Sequence, residues 1–414
     1  MSADVHAAGV AAGPMRPAVR HYPWGSHTAL AALRGDGPSA LPEAEWWYGA
    51  HPLGSAMLDV DGRASALDEL IARDPDGHLG TGLVERFGPV LPFLVKLLAA
   101  DEPLSLQVHP SAARAARGFA DEEARGMPRD APERRYRDTW PKPELLHALG
   151  TFDALCGMRD PDDAIDLLGH LSLDLLDGIA DRLVADGRDA WPGIVRDLLR
   201  VESSEARRLV DRVVADLDRV RAPRPDDADA LDAVAGIARD HPGDPAVVVA
   251  LFMEHHRLEV GDELVTPPGV PHLYLRGCGV EVMATSDNVL RGGMTTKHVD
   301  VDEFVAVLDP GARHRVTRAA TSIPAKTTDP EDAGSPEHFQ LAAVASGDAG
   351  GVELDRRGPQ ILLCTAGRVE VRVDDQTWTI GATEAIYAPA AAMSVHVQGD
   401  GRLHRVTVGV APGD

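Results

Sequence analysis

Candidate chemistry is carried in this chain by a few short segments whose residue types could ligate a metal or handle a proton. In Leu104-Ser-Leu-Gln-Val-His109, apolar residues alternate with Ser105, Gln107 and His109. A strand here puts all three polar side chains on one face, with two candidate ligands two residues apart. Pro141-Lys-Pro-Glu144 sets the ammonium of Lys142 and the carboxylate of Glu144 in a proline-bracketed loop that enters an apolar segment. Farther along, Gly261-Asp-Glu-Leu-Val-Thr-Pro-Pro-Gly-Val-Pro-His272 leads strand residues into a proline-glycine turn that presents His272. His272 and Tyr274 then share a strand face, and Glu281 follows what reads as a glycine-flanked turn. Arg291 stands beside two glycines in Ser286-Asp-Asn-Val-Leu-Arg-Gly-Gly293, which suits close backbone approach to a ligand. Each segment alone also has a plainer reading: a solvated edge strand, a helix start, a core histidine, a surface arginine.

The elements that must position these groups fall into three textures. From Arg16 to about Gly150, short apolar stretches among Pro, Gly and Trp predict mainly strands with a few short helices. Between Asp160 and Asp240, apolar residues recur at helical spacing, as in Leu209, Val210, Val213, Val214 and Leu217. The cluster from Ala222 to Asp229 separates two of these helices, and His241-Pro-Gly-Asp-Pro245 closes the block as a turn. Strand texture returns in Val247 to Phe252, Glu263 to Thr266, His272 to Leu275 and Val280 to Ala284. A polar stretch from Thr321 to Pro336 precedes another β segment that includes Gln360 to Cys364 and Val369 to Val373. The expected fold class is therefore mainly β with a helical insertion: two barrels or jelly rolls plus one α-helical domain, which the family resemblance given below makes cupin-like jelly-roll barrels. The expected boundaries are 1–155 and 246–320 for the two parts of the first barrel, 156–245 for the insertion and 321–414 for the second barrel.

Composition narrows the function classes. The 414 residues carry 41 basic and 65 acidic side chains, a net charge of −24. No basic stripe interrupts this field, which argues against nucleic acid, whereas a few cations in a pocket still suit a small anion such as a sugar phosphate. The longest apolar runs, Leu91 to Ala100 and Ala246 to Met253, are too short to span a bilayer. The first fourteen residues lack the regions of a signal peptide. Cys156, Cys278 and Cys364 form no C-x-x-C pair, so a reducing, cytoplasmic setting is expected.

The stretch from Gly261 to His272 resembles the second metal-binding motif of cupin barrels. Taken in order, the segments resemble the type I phosphomannose isomerases along nearly the whole chain. The resemblance runs through Tyr22-Pro-Trp-Gly25, Glu45-Trp-Trp-Tyr-Gly-Ala-His-Pro52, Leu91-Pro-Phe-Leu-Val-Lys96, Gln107-x-His109, Lys142-Pro-Glu144, Ala154-Leu-Cys-Gly157 and His272 through His298. It implies one zinc ion held by Gln107, His109, Glu144 and His272, and a second barrel without metal. In that second barrel Gly381-Ala-Thr-Glu-Ala-Ile-Tyr-Ala-Pro389 resembles the cupin turn but is followed by no histidine at ligand distance. The implied reaction interconverts mannose 6-phosphate and fructose 6-phosphate through a cis-enediol, feeding mannose activation or catabolism.

In that reaction a Lewis acid is expected to polarise the sugar oxygens without redox change, and Arg291 to stabilise the developing oxyanion or steer the proton between oxygens. Glu281 and Lys142 are both candidates for the proton-transfer base, and Glu281 is equally a candidate for orienting a ligand. Ser105, Lys96 and Lys297 match phosphate-binding positions, and Trp24, Tyr274 and Asp287 are candidate sugar-facing residues. Lys96, inside Phe93-Leu-Val-Lys-Leu-Leu98, must either snorkel or serve a pocket. The chain departs from the family where an Asn-His pair usually precedes Lys-Pro-Glu: Thr139-Trp140-Pro141 stands there. Thr295-Thr-Lys297 likewise replaces the usual Thr-Pro-Lys. The competing classes are a non-haem iron cupin oxygenase and a sugar-binding bicupin without turnover. The expected assembly is a monomer or weak homo-oligomer.

Overall fold

The computed structural model describes residues 10–60, 62–171, 176, 178–318, 337–345, 351–356 and 358–409. The polar stretch from Thr321 to Pro336 lies outside the described residues, as do the first nine residues. The chain divides into two compact units, one of Met1–Ala99, Cys278–Thr285 and Ala319–Asp414, the other of Ala100–Gly277 and Ser286–Arg318.

The first unit is built from antiparallel sheets. Seven strands pair in the order Gln340–Ala345, Arg402–Thr407, Gln360–Ala366, Ala385–Ala388, Gly13–Arg16, Met57–Val60 and Arg63–Ala66. Four more, Val352–Glu353, Val395–Gly399, Arg368–Val373 and Gln376–Gly381, form a second sheet. Alternation explains the arrangement: Val369, Val371 and Val373 turn inward while Arg368 and Arg372 face water. These valines share a core with Leu362, Ile386, Val397 and Leu403. The strands Ala18–Arg20, Glu45–Tyr48 and Phe93–Ala100 pair side by side, and every residue of the last is buried. That explains its unbroken apolar sequence: a strand covered on both faces shows no alternation.

The second unit combines the helical block with the strands that carry the candidate ligands. Helices Pro161–Gly169, Ile179–Asp186, Trp191–Leu199, Ser203–Arg221 and Ala228–Asp240 occupy the expected block. In Ser203–Arg221 the residues Leu209, Val210, Val213, Leu217 and Val220 are buried along one stripe, while Val214 is exposed. Their core is shared with Leu106, Val108, Leu273 and Leu290 from the ligand-bearing strands. No helix among the described residues is long and apolar enough to cross a membrane.

Two local expectations are corrected. Val247 to Phe252, expected as a strand, is the helix Ala246–Leu251, every residue of which is buried. A short run that is apolar on all sides carries no period to separate strand from helix, and Pro245 at its N-cap favours the helix. Gly277-Cys-Gly279, expected as a turn, lies within one continuous strand, His272–Ala284. Gly277 adopts φ +141°, and a Cβ there would come within 2.5 Å of the Phe152 ring, so the glycine serves close packing rather than chain reversal.

Candidate metal centre

Four strands of the second unit align the predicted groups. Gln107 pairs in register with His272 on one side and Arg291 on the other, and His272 also pairs with Cys156. Directly paired residues in an antiparallel ladder project to the same face, so Cys156, His272, Gln107 and Arg291 form one row across the sheet. Glu144 begins the strand Glu144–Ala148, opposite Thr266, after the rigid Pro-Lys-Pro approach.

His109, Glu144 and His272 converge there, with their ligand atoms within 4.8 Å of one another, and all three are buried. Nε2 of His109 lies 3.1 Å from Glu144 Oε1, and Nε2 of His272 lies 3.3 Å from Oε2. The opposite ring nitrogens fix the tautomers. Nδ1 of His109 is 2.9 Å from the Asn288 carbonyl and Nδ1 of His272 is 3.1 Å from the Val270 carbonyl. A carbonyl only accepts, so both Nδ1 atoms donate and both Nε2 atoms present lone pairs to the carboxylate.

Lone pairs facing a carboxylate require a cation between them. Protonation is a poor way to supply it: burial, then the nearby Lys142 charge, pushes the His109 imidazolium down to about 3. Burial alone would raise the Glu144 carboxyl, but Lys142 and His109 outweigh it and hold it well below its usual range. His109 Nε2 is buried without a hydrogen-bond partner, an orphaned acceptor of the kind a metal ion satisfies. The residues present therefore fit a divalent ion. Lys142 Nζ holds Glu144 Oε1 at 2.8 Å. Cys156 is not part of this donor set; burial pushes its thiol up to about 12, and its Sγ lies 3.6 Å from the Thr266 hydroxyl.

Residues outside the expected set hold His109 in place. Asn288, whose carbonyl receives His109, donates its side-chain amide to the carbonyls of Asp138 and Trp140. The Ser286 hydroxyl and the Asp287 amide donate to the Asp138 carboxylate at 2.9 and 2.8 Å. Thus Trp140, in the stretch that departs from the family pattern, and Asp138, just before that stretch, supply this support. The only signal for Asn288 was its place in Ser286-Asp-Asn288; nothing singled out Asp138.

The other expected residues are placed as follows. Arg291 is half-buried on the strand Leu290–Gly293. The glycines after it serve packing: a Cβ at Gly292 would meet Leu106 at 2.9 Å, and one at Gly293 would meet Ala246 at 2.6 Å. Tyr274 is buried, with its ring 6.1 Å from that of His272. Ser105 and Asp287 are half-buried, and Lys297 is exposed. In the first unit, Lys96 does not snorkel: it is buried, with Nζ donating to Glu281 Oε2 at 2.8 Å and 3.6 Å from Glu45 Oε1. Glu45 also accepts from Trp47 Nε1 at 2.7 Å, a partner that its place in Glu45-Trp-Trp-Tyr48 did not single out. Trp24 is half-buried and stacks on Tyr22 with ring centroids 5.6 Å apart.

A buried pair of imidazoles and a carboxylate on antiparallel strands defines a mononuclear metal-binding protein of β-rich fold. Residues 14–161 match the catalytic-domain model of phosphomannose isomerase type I. The chain is 32% identical over 392 residues to the mannose-6-phosphate isomerase of Salmonella typhimurium, covering 94% of this chain and 97% of the relative. Its identity to the Escherichia coli enzyme is 33% over 396 residues with the same coverage, and to the human enzyme 29% over 317 residues, covering 71% and 72%. The zinc-bound crystal structure of a mannose 6-phosphate isomerase matches with a TM-score of 0.83 at 30% identity, covering 96% of this chain and 100% of that one. This chain belongs to the type I phosphomannose isomerase family. Its β-rich fold with a helical region is that of the family's crystal structures, as the sequence resemblance implied.

Proposed function

We propose that this chain interconverts mannose 6-phosphate and fructose 6-phosphate at a site formed by Gln107, His109, Glu144 and His272, with one zinc ion per chain. The observation that carries the reading is the convergence of His109, Glu144 and His272 in a chain that matches a mannose-6-phosphate isomerase over 94% of its length. Bound at these residues, zinc would polarise the carbonyl and hydroxyl oxygens of the sugar without changing oxidation state.

The chain's own groups do the remaining work. Asn288 and Val270 carbonyls hold the two imidazoles in the ligating tautomer. Arg291, in the same ladder row as Gln107, offers a permanent planar donor to the oxyanion that develops as the carbonyl moves between adjacent carbons. The proton is carried by Lys142 or Glu281. Lys142 touches Glu144, whereas Glu281 is held by Lys96. Ser105, Lys96 and Lys297 are assigned to the phosphate, and Trp24, Tyr274 and Asp287 to the sugar. The free thiols Cys156, Cys278 and Cys364 support a reducing, cytoplasmic setting, and the assembly proposed is a monomer or weak homo-oligomer.

The test is conversion of mannose 6-phosphate by the purified chain before and after chelation and zinc restoration, with bound metal quantified on the same samples. Turnover that disappears with the metal and returns with zinc is expected. A chain with a full complement of zinc and no turnover overturns the reading.

A further inference from the structure

Among the described residues a second group of donors is close enough to hold a metal: Glu254, His256 and His314, with ligand atoms within 4.8 Å of one another. Glu254 and His256 are two residues apart on the strand Met253–Leu258 and therefore share a face. His314 lies immediately before the strand Arg315–Thr317. The rings of His256 and His314 stand 4.4 Å apart, and His314 Nε2 is 3.5 Å from Glu254 Oε2.

The tautomer argument applies here too. Nε2 of His256 faces the Cys156 carbonyl at 3.3 Å, so it carries the proton and Nδ1 is left with a lone pair. Burial and the neighbouring His256, Arg188 and Arg313 push His314 down to about 4, which leaves it neutral and able to ligate at neutral pH. Glu254 and His314 line an open cleft, so an ion can reach them from solvent. The backbone makes room for the imidazole. Gly157, at φ +80°, passes His314 so closely that a Cβ would sit 2.6 Å from its Nδ1.

We infer that Glu254, His256 and His314 form a second site for a divalent transition-metal ion of the zinc class, separate from the His109, Glu144 and His272 centre. Two imidazoles and a carboxylate suit zinc or cobalt, whose bonds to such donors are about 2.0 to 2.2 Å. Arg188 and Arg313 line the same cleft and oppose a cation, although Arg188 is paired with Asp160 at 2.9 Å and Arg313 donates to backbone carbonyls. The second site is therefore the weaker of the two. It fills at higher free zinc and empties first on chelation.

The experiment titrates the one-zinc protein with zinc ion under equilibrium dialysis and counts bound metal per chain, with cobalt absorption as a spectroscopic readout. The wild type is expected to rise from one ion to two. The H256A/H314A double variant should stop at one ion, with isomerase turnover within about two-fold of wild type. Glu254→Gln, which preserves the shape of the side chain, should weaken the second ion at least ten-fold, so a misfolded double variant leaves the site testable. A wild type that stops at one ion overturns the site, as does a folded double variant that still binds two. Turnover reports the first centre independently, so failure of either assignment is seen separately.

Discussion

Among the described residues, two clusters share one chemical composition, two histidines and a glutamate, in very different surroundings. His109, Glu144 and His272 are buried, and the His109 and His272 tautomers are fixed by backbone carbonyls. Glu254, His256 and His314 are half-buried beside a cleft, and only His256 is held by a carbonyl. The first cluster leaves a buried nitrogen without a hydrogen-bond partner, whereas in the second solvent can satisfy what the protein does not. The donor list therefore does not rank the two sites. Burial and preorganisation do, because a desolvated, oriented ligand set gains more from an ion than a set still partly hydrated.

Removing a ligand should separate the clusters most strongly. Glu144→Ala is expected to abolish stable zinc binding at the buried centre and lower kcat by on the order of 10^3-fold or more, equivalent to about 4 kcal/mol. Glu254→Ala should leave kcat within about two-fold. Paired metal analysis and steady-state kinetics on both variants check this, and equal losses would break the distinction. Arg291→Ala should lower kcat by about 10^2- to 10^3-fold with zinc content unchanged, since it removes a charge donor rather than a ligand. Loss of zinc from that variant would make Arg291 structural. A smaller change tests preorganisation: Asn288→Ala removes the amide that ties the His109 carbonyl support to Asp138 and Trp140. It should weaken zinc at the buried centre by about 10- to 100-fold in competition with a chelator and leave the second site unmoved.

What was legible in the sequence follows the same division. His109, Glu144 and His272 sit in short-range patterns (alternation in Leu104 to His109, prolines around Lys142, and a Pro-Gly turn before His272), but each pattern alone also has a plainer reading, and it was the ordered family resemblance that joined them into one ligand set. The helical block was visible because Ser203–Arg221 has one apolar face and one wet face. Patterns fail where burial is uniform or contacts are long-range. The helix Ala246–Leu251 has no wet face to show its period. The fixing of His109 by Asn288 and Asp138 depends on residues 150 positions apart in sequence. His256 and His314 belong to separate strand regions and no motif links them, so only the folded chain brings their rings together.

The pH dependence of the metal-free chain supplies the smallest effect and the finest comparison. His109 is held at about 3 in the fold, facing Glu144, Lys142 and His272; His314 is held at about 4, facing His256, Arg188, Arg313 and Glu254. An unfolded histidine titrates near 6.5. In both cases the folded value is the lower one, so the unfolded chain binds more protons as pH falls and the fold loses stability. Each contribution is complete above about 6.5 and is lost progressively towards about 3 for His109 and about 4 for His314. The low Glu144 carboxyl acts in the same direction, over the range below its ordinary value near 4.5. Urea unfolding of the chelated protein between pH 7 and 4 should therefore show falling stability. His109→Gln should flatten that slope, and His314→Gln should flatten it less, because the half-buried ring gives up less hydration on folding. If His314→Gln flattens the slope as much as His109→Gln, the two clusters are desolvated alike, and the ranking of their metal affinities by burial fails with them.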